Sequence, residues 1–187
     1  MATRATMGDL IARVRLMVDD PAGTSAVFTD QEIQDALDAH RRDVRYLPLA
    51  EAPTYSEGGT VSYLEYFAGR SNWEADAVVQ DGNYTVLTPA SVDYTGGIVT
   101  FATNQDPPLT MTGKTYDLYA AAADIVTAWQ AKVARVYDFS AQGQTFHRSQ
   151  MLRSLGDLAK ALANKAGAGS VNGSGSGMTI LRREDMN

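Results

Sequence analysis

The stretch "DLYAAAADIVTAWQAKVARVY", residues 117–137, constrains this chain more than any other. Asp117, Asp124 and Arg135 fall on one narrow stripe with Lys132 beside it, and nearly everything else is apolar or alanine. A helix that is apolar over most of its circumference has to be surrounded. Residues 120–123 are all alanine, so neighbouring backbones can come close. The segment predicts a central helix, and the rest of the chain must supply what covers it.

Three other segments carry helical periodicity. In residues 7–18, Leu10, Ile11, Val14, Met17 and Val18 fall on one face, with Arg13 and Arg15 outside it. "DDPAG" then breaks the pattern. "FTDQEI" announces a second helix: Thr29 can cap the free amides, Glu32 can reach back, and Phe28 and Ile33 can form a hydrophobic staple. Ile33, Ala36, Leu37, His40 and Val44 continue on one face, acids early and Arg41, Arg42 and Arg45 late, as the helix dipole favours. This reading takes the second helix to Pro48. A fourth helix is expected over about residues 146–165, with Met151, Leu152, Leu155, Leu158, Ala159 and Leu162 on its apolar face and Gly167 ending it.

Between about 53 and 115 the texture is that of short strands. "VVQDGNYTV" reads as a hairpin through Asp81-Gly82, and "SVDYTGGIVTF" as another through Thr95-Gly96-Gly97. Frequent turns suggest a small antiparallel sheet or barrel. The expected fold class is therefore α+β: a four-helix scaffold of two helical pairs, an inserted small antiparallel β module and an extended C-terminal tail. The expected divisions are 1–52 with 113–166 as the helical domain, 53–112 as the β module, and 167–187 as a tether with a docking peptide.

The 187 residues suit one domain, or one with an insert. No cysteine is present, which excludes disulfides and thiolate metal sites and fits a reducing cytoplasm. No run approaches the ~18 apolar residues of a membrane span, and the N-terminus lacks an apolar signal core. The net charge of −6 is unevenly spread: residues 51–112 carry −7, residues 113–166 carry +3. An acidic middle segment argues against gripping nucleic acid there, which needs clustered Lys and Arg.

Catalytic and metal readings find little support. His40 lies on a helix face among apolar neighbours and reads as a packed histidine; His147 has no partner at metal spacing. Asp19-Asp20 stands in a turn context and reads as a solvated helix end rather than a catalytic pair. "GSGSG" (173–177) matches the nucleophile-elbow letters in a linker, without the strand and helix the motif requires. The aromatics Tyr55, Tyr63, Tyr66, Phe67, Trp73, Tyr84, Tyr94 and Phe101 are read as cross-strand packing, the surplus offering a contact face. No catalytic residue, metal ligand or cofactor is assigned, and a non-enzymatic interaction protein is expected.

"MGDLIARVRLMVDDPAGTSAVFTDQEIQDALDAHRRDVRY" resembles the opening of the head-tail connector (adaptor) proteins of long-tailed bacteriophages. "TYDLYAAAADIVTAWQAKVARVYDFSAQGQTFHRSQMLRSLGDLAKALA" is similar to that family's later half, and "GSGMTILRRED" to the Gly-rich end of some members. The resemblance implies a virion structural protein: a homo-oligomeric ring of twelve copies in the neck, between capsid and tail. Such a ring is made in the host cytoplasm, joins the portal to the stopper or tail-completion protein, and leaves a channel for DNA without sequence-specific binding, catalysis or membrane contact. A capsid decoration or host-surface binding module that uses the β insert is the alternative.

The tail completes this reading. Gly167–Gly177 is a Gly/Ser-rich tether of eleven residues. Stretched, it spans about 36–40 Å. Met178, Thr179, Ile180, Leu181, Arg182 and Arg183 are the expected partner-binding residues, docking as a strand on the portal or on a neighbouring subunit.

Overall fold

The computed structural model describes residues 3–56, 58–134, 140–141, 144–145 and 148–166. A 3-10 turn, Ala5–Met7, leads into α1 (Gly8–Val18), which buries Leu10, Ile11, Val14 and Val18. Asp19 stops α1 in the left-handed region, at φ 55°. The expected capping box opens α2 (Asp30–Ala39): Thr29 Oγ1 accepts from the Glu32 amide at 3.2 Å, and Glu32 Oε2 accepts from the Thr29 amide at 2.7 Å. Both staple residues, Phe28 and Ile33, are buried in one cluster.

Beyond Ala39 the chain departs from the expected helix. Arg41–Pro48 is strand β1, followed by β2 (Ala50–Tyr55) and β3 (Val61–Phe67). Short strands β4 (Val78–Gln80), β5 (Val86–Leu87), β6 (Ser91–Asp93) and β7 (Ile98–Thr100) precede the longer β8 (Thr110–Tyr116). Then come α3 (Leu118–Ala134), the two-residue strands β9 (Ser140–Ala141) and β10 (Gln144–Thr145), and α4 (Arg148–Lys165).

The strands form two antiparallel four-stranded sheets, ordered β1-β8-β4-β5 and β2-β3-β7-β6, with β9 and β10 paired separately. Because β1 and β2 are nearly continuous, the chain passes from one sheet to the other at Leu49, whose amide donates to Leu109 O at 2.9 Å. The inner faces share one core that includes Val44, Leu49, Tyr66, Trp73, Val79, Val99, Phe101, Leu109 and Met111. Gly113 is needed where β8 passes the lead-in to β4: a Cβ there would stand 2.6 Å from Ala77 Cβ and 3.3 Å from the Trp73 ring.

The helices make a second core. Ala121, Ala122, Ile125 and Val126 of α3 are buried with Leu10, Ile11 and Val14 of α1, Ile33 and Leu37 of α2, and Leu155 and Leu162 of α4. Asp117 caps α3, accepting from the Ala120 amide at 3.1 Å. Trp129 meets Phe28 edge-on, and Lys132 lies over the Phe28 ring while bonding Glu32.

This arrangement corrects the expectation of a four-helix scaffold carrying a small β module. The α+β class holds, but the sheets form a full second core, and residues 41–48 and 113–116, expected within the helical part, are in strands. The physical reason is pairing: β1 lies against β8 from Arg41↔Tyr116 to Pro48↔Thr110, which satisfies backbone groups that a longer α2 would have satisfied locally.

The expected hairpins are present with longer loops. Between β4 and β5, Asp81 Oδ1 accepts from the Asn83 and Thr85 amides; between β6 and β7, Asp93 Oδ1 accepts from those of Thr95 and Gly96. Met151, expected on the apolar face of α4, is exposed.

Candidate functional site

The six expected docking residues, Met178, Thr179, Ile180, Leu181, Arg182 and Arg183, lie outside the described residues, as do His147 and the Gly/Ser tether. Candidate sites within the described residues are of four kinds: a buried ionic junction, a clamped loop beside α1, an exposed aromatic pair on a sheet, and a cleft along the outer side of α1.

The junction is built around Glu74, whose side chain is 0 % exposed. It precedes β4, and its amide donates to Lys114 O on β8. Its Oε1 accepts from Arg4 Nε at 3.0 Å and Thr6 Oγ1 at 2.6 Å. Its Oε2 accepts from the Tyr116 hydroxyl at 2.6 Å, with Lys114 Nζ at 3.3 Å. Arg4 also forks onto Asp38 of α2, at 2.6 and 2.8 Å, and Lys114 pairs with Asp76 at 2.9 Å.

Burial alone would raise the Glu74 carboxyl, but hydrogen bonds from Thr6, Tyr116 and Arg4 outweigh it and hold the group at about 2. Burial, then Glu74, push the Tyr116 hydroxyl well above its usual range. A carboxylate held at about 2 is a poor proton acceptor near neutrality. The arrangement ties the α1–α2 end of the helical layer to the sheets, and its chemistry is that of a weld. Neither Glu74 nor its partners announce this in the sequence, because the partners lie 40 to 70 residues away in most cases.

The clamp corrects two expectations. Arg15, placed outside the apolar face, is buried, and Asp20, expected to be solvated, is 2 % exposed. Arg15 Nη1 donates to Asp20 O and Oδ2, Nη2 to Phe28 O and Asp30 Oδ1, and Nε to Asp30 Oδ1. Asp20 also accepts from the Val27 and Phe28 amides. A folded-back loop has backbone groups to satisfy, and a charged pair with many hydrogen-bonding positions satisfies them. His40, read as packed, bridges helices: its Nε2 stands 2.7 Å from Asp124 Oδ2 on α3.

The aromatic reading is half right. Tyr66, Trp73 and Phe101 are core residues, whereas Tyr55 and Tyr84 are exposed. Tyr84 stands beside Tyr46 with ring centroids 5.2 Å apart in an edge-on pair. Both rings face solvent, at 64 % and 52 % exposure, with Val86 and Val78 exposed nearby on β5 and β4. Both tyrosines have positive φ, 64° and 51°, which is costly for a side chain of that size.

On the helical side, Leu16 is 85 % exposed on α1. It lines a shallow cleft with Ala12, Asp19, Pro21 and Ala22, which runs into a second, of about 330 Å³, along Arg4, Ala5, Gly8, Ile11 and Ala12. The signal for Leu16 was in the sequence: a large apolar residue on the polar side of an otherwise regular amphipathic helix. Tyr46 gave none, because its stretch read as helix. Among the described residues no group of three or more His, Cys, Asp and Glu is placed to hold a metal ion, and no helix is long and apolar enough to cross a membrane.

No family model matches the chain, and no curated protein or solved structure matches it either.

Proposed function

We propose that this chain is a structural neck protein of a long-tailed bacteriophage, a subunit of a ring that joins the portal to the stopper or tail and leaves a channel for DNA. One observation supports this reading beyond the sequence resemblance. Large apolar side chains are left in water on two different layers: Leu16 on the helices, and Tyr46, Tyr84 and Val86 on a sheet. Exposed apolar groups at two separate places suit a subunit with neighbours and an axial partner. A ring contact repeated many times gains avidity from modest patches of this kind. The acidic segment 51–112 has a smaller surface charge than its count of −7 implies, because Glu74 is buried and Asp76 pairs with Lys114.

The test is native mass spectrometry and negative-stain imaging of the chain, alone and co-expressed with its portal. Rings of about a dozen copies that co-purify with portal are expected. A monomer at every concentration that ignores portal overturns the reading.

The Tyr46–Tyr84 pair favours a second reading, a decoration or host-surface binding module. Paired exposed tyrosines under backbone strain are a feature of ligand clamps. Binding of a monomeric chain to glycans or host surface, lost in Tyr84→Ala, would favour it over the ring.

A further inference from the structure

The groove beside α1 has a mostly apolar floor, bordered by Arg4, Arg15 and Asp30, and ends on an acid. Gly8, Ala12 and Leu16 follow one another on the same exposed side of α1, with Pro21 and Ala22 as the opposite wall. Asp19 stands at the Leu16 end, exposed and with no side-chain partner among the described residues. Arg15, which also borders the groove, is consumed by Asp20, Asp30 and Phe28 O, so it leaves the Asp19 carboxylate uncompensated. The groove therefore calls for an occupant with two or three aliphatic side chains followed by a cation.

This chain carries such a segment, Met178-Thr179-Ile180-Leu181-Arg182-Arg183, on a tether of eleven residues. The lengths agree. From Gly8 to Leu16 a helix advances about 12 Å, and from Met178 to Arg182 an extended peptide advances about 13 Å. Aliphatic side chains over Gly8 and Ala12, where the wall is low, would place Arg182 or Arg183 beside Asp19.

We propose that residues 178–183 of this chain dock in extended form into the α1 groove, with Met178 and Ile180 over Gly8 and Ala12, against the Leu16 side chain, and the arginine pair at Asp19. The proposal rests on the reading of 178–183 as a docking peptide and names its receptor as this chain rather than the portal.

A photo-crosslinking benzoylphenylalanine in place of Ile180, in the full-length chain, tests it. Irradiation followed by peptide mass spectrometry should place the crosslinks within residues 8–22, inside one chain or between two copies. Leu16→Glu should lower the yield at least about tenfold, as losing one leucine's apolar contact implies. Arg182→Gln with Arg183→Gln should lower it too and remove its dependence on salt. Leu16 is 85 % exposed, so its substitution leaves folding intact, which an unchanged melting temperature checks. Crosslinks to another surface, no crosslinks, or a yield indifferent to Leu16→Glu overturn the proposal. A ring that forms with portal while position 180 crosslinks elsewhere overturns the proposal and spares the ring. A monomer crosslinked at residues 8–22 does the reverse.

Discussion

Glu74 is the residue on which most depends. Its carboxylate serves four donors drawn from the N-terminal segment and from β8, so removing it takes the carboxylate acceptor from the Thr6 and Tyr116 hydroxyls and leaves Arg4 and Lys114 with Asp38 and Asp76 alone. A hydrogen bond to a charged group contributes about 1.5–3 kcal/mol, and Glu74→Ala, which removes several, is expected to lose at least that much in urea denaturation. The pH dependence has a definite sign. The folded carboxyl titrates at about 2, against an ordinary 4.5, so its contribution is present above pH 4.5 and disappears as pH falls toward 2. The size of that loss is about 3 kcal/mol by linkage. Acid titration of stability should show this fall in the wild type and a much flatter profile in Glu74→Gln. Arg15 is a second such residue. Both were illegible in the sequence for one reason: a buried charge is defined by partners, and those partners are distant in the chain or hidden in a loop whose folding back is itself tertiary.

At the scale of elements, local chemistry was legible and long-range pairing was not. The box at Thr29 and Glu32 depends on residues three apart, and it formed as read. Thr29→Ala should cost about 1 kcal/mol in chemical denaturation. The turn between β6 and β7 is local in its φ of 73° at Gly97, but its second constraint is tertiary: a Cβ there would stand 2.0 Å from Arg70 O. Gly97→Ala should cost more than about 2 kcal/mol by the same measurement, from left-handed strain plus overlap. The boundary between α2 and β1 went the other way. Ile33, Ala36, Leu37, His40 and Val44 keep helical spacing, so nothing local marks the change. A strand's alternation was also hidden, because a bulge between Val44 and Leu47 inserts an extra residue where Tyr46 turns through positive φ. Sequence periodicity reads regular elements, and a bulged strand imitates a helix over one turn.

Across the described residues, the two cores meet at an ionic junction, with Arg13 of α1 also reaching Asn72 beside the sheets. The helical core and the sheet core share few apolar residues, and Arg4, Glu74, Asp38 and Tyr116 span the boundary. Scanning calorimetry should show one cooperative transition for the wild type. In Glu74→Ala it should separate into two, as the helical layer and the sheets lose their coupling.

The sequence by itself determined that α3 enters the helical core, which it does through Leu118–Val126 while its second half stays at the surface, that Thr29 opens a helix, and that tight turns punctuate a β segment. Each of these is decided by neighbours within about one or two turns of chain. The tertiary structure decided that residues 41–48 are a strand, that the sheets hold a core of their own, and that Arg15, Asp20 and Glu74 are buried. Those outcomes depend on free energy gained only when β8 meets β1 and when Arg4 reaches Glu74, 70 residues away. Periodicity is a property of one segment, whereas burial of a charge or pairing of a strand is a property of two.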